Sequence, residues 1–280
     1  MDEIIVDVRC IRHTYPGHVR VDICGLEFKV KRGERVAILG ANGSGKSTLL
    51  KHVLGLLEPT SGSVSVFGKN PAKEYKEIRS KIGAVMQNAD EQLIGPTVFD
   101  DVAFAPLNFG FSREETNERV ESILNSMGIQ HLRDRLPHYL SGGERKKLAI
   151  AGALVYGPEL LVLDEPFEGI DYKSRVEISE FLKKLHQETN MTMISTVHDM
   201  NLVQDLADSG YLMKYGGELE VYSSISELFF DHDLTEYNLA PPTVARIIKS
   251  LNEQGIQVNK TLDPTEFCRD ISNRLGGKKE

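Results

Sequence analysis

The sequence predicts an α/β fold: a largely parallel β-sheet with a helical insertion and a small, mostly helical C-terminal tail. Three observations predict it. Short runs rich in Val, Ile and Leu alternate with helical patterns, region 88–155 contains no continuous strand-like run, and the residues after 222 carry repeated helix-start signals. We therefore expect a core domain over residues 1–222, a helical subdomain inserted at 88–155, and a C-terminal extension over 223–280.

The strand-like runs are short and almost continuously apolar, which is typical of parallel strands buried on both faces. They cover residues 35–39, 81–86, 160–163 and 191–197. Ligands of such sheets bind at the carboxyl ends of the strands, so the polar residues that follow these runs are candidates for a common site.

Capping signals mark the helix starts in the insertion and in the tail. A serine followed three residues later by a glutamate opens a predicted helix at Ser112, and the same spacing recurs at Ser224. Asp263 begins a third such box, and Pro241-Pro242 precede an apolar-periodic helix that ends at Gly255.

Composition narrows the class of protein. The 280 residues carry a formal net charge of -8, so no overall basic field favours nucleic acid as a partner. The three cysteines are odd in number and lack metal-ligand spacing, and we expect reduced thiols in a cytosolic protein. No apolar run approaches the ~18–20 residues needed to span a bilayer, so any membrane association is expected to be peripheral.

The first candidate site is a glycine-rich segment between a strand and a helix. Residues 40–47 read Gly-Ala-Asn-Gly-Ser-Gly-Lys-Ser and lead into a predicted helix over 47–57. This is the P-loop pattern, in which backbone N–H groups curl around phosphates, Lys46 reaches the β- and γ-phosphates, and the Ser47 hydroxyl ligates Mg²⁺. A structural turn without a ligand is the alternative. The predicted nucleotide-binding residues here are Gly40, Asn42, Gly43, Ser44, Gly45, Lys46, Ser47 and Thr48.

Polar side chains follow the other strand-like runs. Asp164 and Glu165 end the third run; we predict that Asp164 holds Mg²⁺ through water and that Glu165 polarises the attacking water as general base. Gln87, after the second run, is placed to touch Mg²⁺ and this water. His198 follows the fourth run, where a catalytic role competes with an ordinary structural one. The predicted catalytic residues are Glu165, His198, Gln87 and Lys46, and the predicted Mg²⁺ ligands are Ser47, Gln87 and Asp164.

A second serine-glycine segment opens another helix about a hundred residues after the P-loop. Ser141-Gly142-Gly143-Glu144 combines a serine cap, free backbone N–H groups and the positive end of a helix dipole, which is the layout of an anion site. At the end of the helical insertion, it cannot serve the nucleotide of its own P-loop. We therefore predict a head-to-tail pair with two-fold symmetry, in which these four residues contact the nucleotide of the partner chain.

Together these motifs resemble the nucleotide-binding subunit of ATP-binding cassette (ABC) transporters, over residues 1 to about 222. The P-loop, Gln87, the segment 140–144, Asp164-Glu165 and His198 stand in that family's order and spacing. The resemblance implies a P-loop NTPase with a RecA-like core, ATP and Mg²⁺ as ligands, and a dimer that two ATPs close and hydrolysis reopens. It also implies that Tyr15 stacks on adenine and that Asp171 lies near the partner's P-loop.

Segments 87–106 and 239–243 resemble a narrower group, the ATPase subunits of energy-coupling factor (ECF) importers, which take up vitamins or transition metals such as cobalt and nickel. The resemblance implies three partners: a second ATPase subunit, identical or paralogous, an integral-membrane scaffold subunit and a membrane substrate-binding subunit. This chain would then lie on the cytoplasmic face of the cell membrane, as a peripheral subunit. The C-terminal extension is implied to help pair the two ATPases, and no nucleic-acid partner is expected.

Two positions depart from the ABC pattern. Phe167-Glu168 stand where the family usually has a small residue or threonine and then a small residue, which leaves the contacts of this loop open. Glu144 stands where many members have Gln, a change that alters contact with the nucleotide's sugar without removing the donors to the γ-phosphate.

A docking groove for a helix of a membrane partner is expected beside Gln87. Four apolar residues of the ECF-like segment are candidates to line it, with ordinary core positions as the alternative. They are Phe99, Val102, Phe104 and Leu107.

Other classes of protein remain open. An exporter ATPase of the same superfamily would share every motif outside the ECF-like segments. A soluble ABC ATPase of DNA repair would need a long coiled coil between Gln87 and Leu140, which are only 53 positions apart. The translation type carries two cassettes in one chain, whereas this chain has one. A small-molecule P-loop kinase would leave the serine-glycine segment unexplained.

Overall fold

The structure is a computed structural model and describes residues 3–14, 20–23, 27–215 and 217–276. The strands are β1 (Ile4–Thr14), β2 (Arg20–Ile23), β3 (Phe28–Lys31), β4 (Arg35–Leu39), β5 (Ser61–Val66), β6 (Ile82–Val85), β7 (Leu160–Asp164), β8 (Thr192–Thr196), β9 (Ser209–Met213) and β10 (Leu219–Tyr222). The α-helices are α1 (Lys46–Val53), α2 (Tyr75–Ile78), α3 (Val98–Phe109), α4 (Arg113–Ser126), α5 (Gly142–Leu154), α6 (Tyr172–Thr189), α7 (Val203–Leu206), α8 (Ile225–Asp231), α9 (Thr243–Glu253) and α10 (Pro264–Gly276).

The main sheet has the strand order β10-β9-β4-β8-β7-β6, and every neighbouring pair except β10 with β9 is parallel. The predicted α/β fold with a largely parallel sheet is therefore confirmed. The four predicted strand runs correspond to β4, β6, β7 and β8, with ends that differ by at most one residue. Helix α1 is shorter than predicted, because it begins at Lys46 and ends at Val53.

The central strands are buried on both faces, which explains their continuous apolar sequence. All five residues of β4, of β7 and of β8 are buried. Alternate residues of β4 point into two different cores: Ala37 and Leu39 pack with helices α3 to α9, whereas Val36 and Ile38 pack with α1 and the N-terminal strands. The sheet thus separates two hydrophobic clusters.

A second, antiparallel sheet forms from the N-terminal strands, and it was not predicted. It has the order β2-β1-β3, and β5 also pairs with β1. Strand β1 is half-exposed and mixes charged with apolar residues, so it lacks the continuous apolar run that marks the main sheet. Cys10 of β1 is disulfide-bonded, contrary to the expectation of reduced thiols, whereas Cys268 is free.

Between residues 88 and 155 the chain forms α3, α4, α5 and short 3₁₀ turns, and no strand lies in this fully described segment. Its helices begin as the capping signals indicate. The Ser112 hydroxyl accepts a hydrogen bond from the Glu115 N–H at the start of α4, and Thr97 caps α3 in the same way. The boundaries of the three predicted units remain a prediction.

The tail consists of α8, α9 and α10. Ser224, Pro242 and Asp263 precede helices as predicted. The predicted capping boxes at Ser224 and Asp263 are wrong, because Ser224 accepts from the Ser226 N–H and Asp263 from the Thr265 N–H, and neither accepts from the glutamate three residues on. Ala245 and Ile248 of α9 are buried in the core shared with the main sheet. Within the described residues, no helix is both long and apolar enough to cross a bilayer.

Candidate active site

The P-loop connects β4 to α1 and wraps around the side chain of Lys46. Its glycines have the positive φ angles that such a curled backbone requires: 153° at Gly40, 79° at Gly43 and 109° at Gly45. A Cβ atom on Gly40 would lie 2.5 Å from the Met213 carbonyl oxygen, so only glycine fits where the loop passes β9.

The Lys46 ammonium lies at the centre of this loop. Its Nζ donates hydrogen bonds to the carbonyl oxygens of Gly40 (2.8 Å) and Ala41 (3.1 Å). Burial lowers the pKa of Lys46, and the carboxylates of Glu165 and Asp164 oppose that shift. The structure therefore brings this cation and the two predicted acidic residues into one electrostatic unit.

A cavity of about 440 Å³ opens beside the loop. Nine of the predicted site residues line it, from four separate segments of the chain. The lining residues are Asn42, Gly43, Gly45, Lys46, Ser47, Thr48, Gln87, Glu165, Glu168 and His198. Gly40 and Ser44 do not line the cavity, and the buried Ser44 Oγ has no hydrogen-bond partner among the described residues. Tyr15, the predicted adenine contact, lies outside the described residues.

Asp164 is buried directly behind Ser47. The Ser47 hydroxyl donates to Asp164 Oδ1 at 3.3 Å, and Asp164 itself is 3% exposed. Hydroxyl, carboxylate and amide oxygens are the hard ligands that Mg²⁺ prefers, and Mg²⁺ is usually bound through one or two carboxylates together with substrate phosphates and waters. The side chains of Ser47, Asp164 and Gln87 therefore fit a magnesium ion, with Asp164 set back far enough to act through water.

Glu165 has the environment of a general base. Its backbone lies in the left-handed region (φ 47°), an unusual conformation for a residue other than glycine and one that occurs at functional turns. Burial raises the pKa of the Glu165 carboxyl and the neighbouring Glu168 adds to the rise, whereas Lys46 and His198 lower it. A carboxyl whose pKa is raised toward neutral accepts a proton more readily when the pH is near 7.

Thr196, at the end of β8, holds this acidic pair in place, and sequence reasoning missed it. Its Oγ1 donates to Asp164 Oδ1 at 2.5 Å and accepts from the Glu165 N–H at 3.0 Å. Thr196 is completely buried. The sequence feature that could have identified Thr196 is a hydroxyl residue within an apolar strand run, two residues before His198.

The loop with the unusual Phe167-Glu168 pair has specific contacts. Phe167 is 6% exposed and packs in the larger core, so its size is accommodated by burial. Glu168 is exposed, and its Oε2 accepts a hydrogen bond from Gln87 Nε2 at 2.6 Å. His198 is also exposed and faces the same cavity.

The second serine-glycine segment forms the N-terminus of α5. Ser141 and Glu144 make a reciprocal capping box: the Glu144 carboxylate accepts from the Ser141 backbone N–H (2.7 Å) and hydroxyl (2.8 Å), while Ser141 Oγ accepts from the Glu144 N–H (3.3 Å). These hydrogen bonds lower the pKa of Glu144.

Close packing holds the start of α5 against the start of α6. A Cβ atom on Gly143 would lie 2.0 Å from Ser174 Oγ, so glycine is required there. Asp171 caps α6 by accepting from the Ser174 N–H (3.0 Å) and hydroxyl (2.7 Å). Asp171 thus has a structural task in its own chain, beside the predicted contact with a partner.

Ser141 and the P-loop do not share a cavity within one chain. Ser141, Glu144 and Asp171 line a groove of about 820 Å³ between α4 and α6, and no residue of that groove lines the P-loop cavity. The contribution of Ser141, Gly142, Gly143, Glu144 and Asp171 to a partner's nucleotide stays a prediction.

The expected docking groove is only partly formed by the four candidate residues. Val102 is a core residue, and Phe99 packs against the core beneath the Arg133 guanidinium, which lies 4.1 Å from its ring centre. For Val102 the docking role is wrong, because its side chain is completely buried, whereas Phe99 is half-buried and its docking role stays a prediction. Phe104 and Leu107 are 52% and 47% exposed and lie three residues apart on α3, on the same side of the helix.

Comparisons with known proteins agree with this geometry. A family model described as "ABC transporter" matches residues 23–168. The energy-coupling factor transporter ATP-binding protein of Methanocaldococcus jannaschii is 41% identical over 280 residues, covering 98% of this chain and 99% of the relative. The corresponding protein of Methanoculleus marisnigri is 40% identical over 257 residues and covers 91% and 92%.

Among solved structures, the chain is similar to cbiO1 from Clostridium perfringens, described as part of the ABC transporter complex cbiONQ. The two share 33% sequence identity with a TM-score of 0.73, and the match covers 90% of this chain and 96% of that structure.

Proposed function

The chain belongs to the ABC transporter family, among the energy-coupling factor ATP-binding proteins, and from this premise we propose that it hydrolyses ATP to power a membrane importer of a vitamin or a transition-metal ion. One observation carries the proposal: four strand ends of a parallel sheet meet at the P-loop cavity. The side chains that come from them are Lys46, Gln87, Glu165 and His198.

The P-loop backbone and Lys46 bind the β- and γ-phosphates of ATP, and Tyr15 stacks on its adenine. Glu165 accepts a proton from the attacking water, and His198 stabilises charge that develops on the γ-phosphate. The low polarity around Lys46, which lowers its pKa, strengthens its attraction for phosphate.

Ser47 and Gln87 would hold Mg²⁺ directly, and Asp164 would hold it through water. When bound, this ion would supply positive charge that neutralises the phosphates. Thr196 keeps Asp164 and Glu165 in register, because a single hydroxyl bonds to both residues.

Two copies, or this chain and a paralogue, pair head to tail over two ATP molecules. The start of α5 in one chain then donates backbone N–H groups and the Ser141 hydroxyl to the γ-phosphate bound by the other chain. In the single chain the Ser141 N–H and hydroxyl donate to the Glu144 carboxylate, so the phosphate replaces this carboxylate at Ser141 as the pair closes. Hydrolysis removes the shared ligand and reopens the pair.

We infer membrane partners from the similarity to energy-coupling factor transporter ATP-binding proteins and to a subunit of an ABC transporter complex. We place an integral-membrane scaffold subunit on the exposed side of α3 that carries Phe104 and Leu107, and a separate membrane subunit binds the transported substrate. This arrangement puts the chain at the cytoplasmic face of the membrane, as a peripheral subunit.

Hydrolysis is tested with purified protein and the substitution Glu165→Gln, which we expect to lower kcat by ~10²–10⁴-fold with ATP still bound. The matched control is Glu58→Gln, which removes a carboxylate from an exposed ion pair with Lys73. Full ATPase activity in the Glu165→Gln protein would refute the assignment of the base.

Transport is tested by affinity purification of the tagged chain from detergent-solubilised membranes of its host, followed by mass spectrometry. Recovery of an integral-membrane scaffold and a small substrate-binding membrane protein supports the importer. The importer is rejected if the only partners recovered are ribosomal proteins, DNA-repair proteins or an exporter with a fused membrane domain.

A further inference from the structure

Glu168 lies where three cavities of the active site meet, and neither the P-loop motif nor the predicted catalytic set assigns it a role. It stands in the loop between Glu165 and Asp171 and borders three cavities: the P-loop cavity, one of about 400 Å³ beside the start of α5, and one of about 240 Å³ along residues 165–169. A carboxylate that reaches all three is positioned to act on whatever binds beside the P-loop.

The closest partner of Glu168 is the amide of Gln87. The distance of 2.6 Å between Gln87 Nε2 and Glu168 Oε2 is short for a hydrogen bond from nitrogen to oxygen, as expected when the acceptor is charged. Gln87 is also held by its backbone: Lys146 Nζ donates to the Gln87 carbonyl oxygen at 2.9 Å, and Lys146 is 2% exposed. Gln87 is therefore held by hydrogen bonds to two separate segments of the chain, at its side chain by Glu168 and at its backbone by Lys146.

The chemistry of this pair determines how the amide is turned. An amide has a donor end and an acceptor end, whereas an ionised carboxylate can only accept. Glu168 therefore bonds the NH₂ group of Gln87 and leaves its carbonyl oxygen, Oε1, as the free acceptor end. A flipped amide would set two electron-rich oxygens against each other and lose the hydrogen bond.

We propose that Glu168 is a positioning residue that orients the Gln87 amide so that Oε1 is available to Mg²⁺ and the attacking water. The inference rests on the proposed function, because it concerns the same ligand set. A cation site needs an oxygen from Gln87, and a freely rotating amide would present its NH₂ group part of the time. Residues that orient metal ligands in this way commonly change metal affinity when they are replaced.

The test measures binding rather than turnover. A non-hydrolysable ATP analogue with an imido group between the β- and γ-phosphates is bound to the full chain at increasing Mg²⁺ concentrations, followed by isothermal titration calorimetry. We expect Glu168→Ala and the isosteric Glu168→Gln to raise the Mg²⁺ concentration for half-maximal binding by about tenfold. Glu168→Gln is included because an amide at this position can bond to Gln87 in either orientation, so it no longer selects the one that leaves Oε1 free. Binding in EDTA and thermal unfolding should change little.

A double-mutant cycle shows whether Glu168 acts through Gln87. Gln87→Ala should raise the Mg²⁺ requirement by a similar factor, and Glu168→Ala should add no further increase in the Gln87→Ala protein. If Glu168→Ala has its full effect in that background, the carboxylate attracts Mg²⁺ by charge alone and the positioning role is overturned. No effect of either Glu168 substitution in the unmodified chain also overturns it.

The control Glu58→Gln should leave the Mg²⁺ titration unchanged. The two hypotheses can fail separately: absence of Mg²⁺-dependent nucleotide binding in the unmodified chain rejects the proposed function and this inference with it. Normal binding with insensitive Glu168 variants rejects the inference alone.

Discussion

Replacing Thr196 with valine tests how the acidic pair is held. Valine has the shape of threonine without its hydroxyl, so Thr196→Val removes two hydrogen bonds and little packing. The bond to Asp164 Oδ1 (2.5 Å) and the bond from the Glu165 N–H (3.0 Å) are both lost at a position with no solvent exposure.

The magnitude follows from what is left unpaired. A hydrogen bond to a charged group contributes ~1.5–3 kcal/mol, and a buried N–H without a partner costs about 1–3 kcal/mol. Because Asp164 keeps the Ser47 hydroxyl and the two losses overlap, we expect the free energy of unfolding to fall by ~2–4 kcal/mol in total. At ~2–4 °C per kcal/mol for a chain of this size, Tm should drop by about 4–16 °C. Displacement of Asp164 and Glu165 should lower kcat by about ten- to a hundredfold.

The assay is ATPase activity and calorimetric unfolding of three variants. Thr196→Ser keeps the hydroxyl and should recover most of kcat. Thr192→Val is the matched control in the same strand: Thr192 is completely buried at the opposite end of β8, and its Oγ1 accepts from the Gly33 N–H at 2.9 Å. This control should lose ~1–2 kcal/mol of stability but keep its kcat. Equal kcat values for Thr196→Val and Thr192→Val would refute the reasoning.

Three further outcomes are expected. Gly143→Ala forces a methyl group to within 2.0 Å of a side chain of α6, so it should destabilise the start of α5 and abolish paired ATP hydrolysis. Gly152→Ala in the same helix meets nothing within 4 Å and should stabilise the helix by ~0.5–1 kcal/mol. Thermal unfolding of both variants tests this prediction. Glu144→Ala removes the acceptor for the Ser141 N–H and hydroxyl, and we expect the free energy of unfolding in urea to fall by ~0.5–2 kcal/mol. Glu144→Gln keeps an acceptor and should largely avoid this loss. Burial raises the pKa of Asp205, so the charged carboxylate destabilises the fold above that pKa. Asp205→Asn should therefore be more stable than the unmodified chain at pH 7. The difference in unfolding free energy should vanish as the pH falls through the raised pKa toward the unfolded value of about 3.9. A constant difference across this range would contradict the effect at Asp205.

Much of the site was predictable because its motif is local. The P-loop glycines, Lys46 and Ser47 are consecutive in sequence, so their spacing alone indicates a curled backbone after a strand. Asp164, Glu165, Gln87 and His198 were predicted by one further rule, that ligands bind at the carboxyl ends of parallel strands. Gln87, Glu165 and His198 line one cavity with the P-loop, and Asp164 lies behind it in contact with Ser47, which agrees with that rule.

The misses have a physical cause. The antiparallel N-terminal sheet was not predicted because β1 is half-buried and mixes charged with apolar residues. Val102 was a candidate for the docking surface with a core position as the alternative, and the core position is correct, since a helix with apolar residues on several sides buries some of them inside its own domain. Sequence alone cannot say which face of α3 meets the core, since that depends on α4 and α5 packing against it.

The sequence by itself indicated the family and predicted the strand-end site with its candidate phosphate-binding and acidic residues, because these are read from residue types at short spacing. Only the tertiary structure decided how distant residues complete the site. Thr196 meets Asp164 because β7 and β8 are parallel neighbours, and Glu168 meets Gln87 across 81 residues because their loops leave the same edge of the sheet. Such contacts depend on the three-dimensional register of strands, and no local pattern of residues records it.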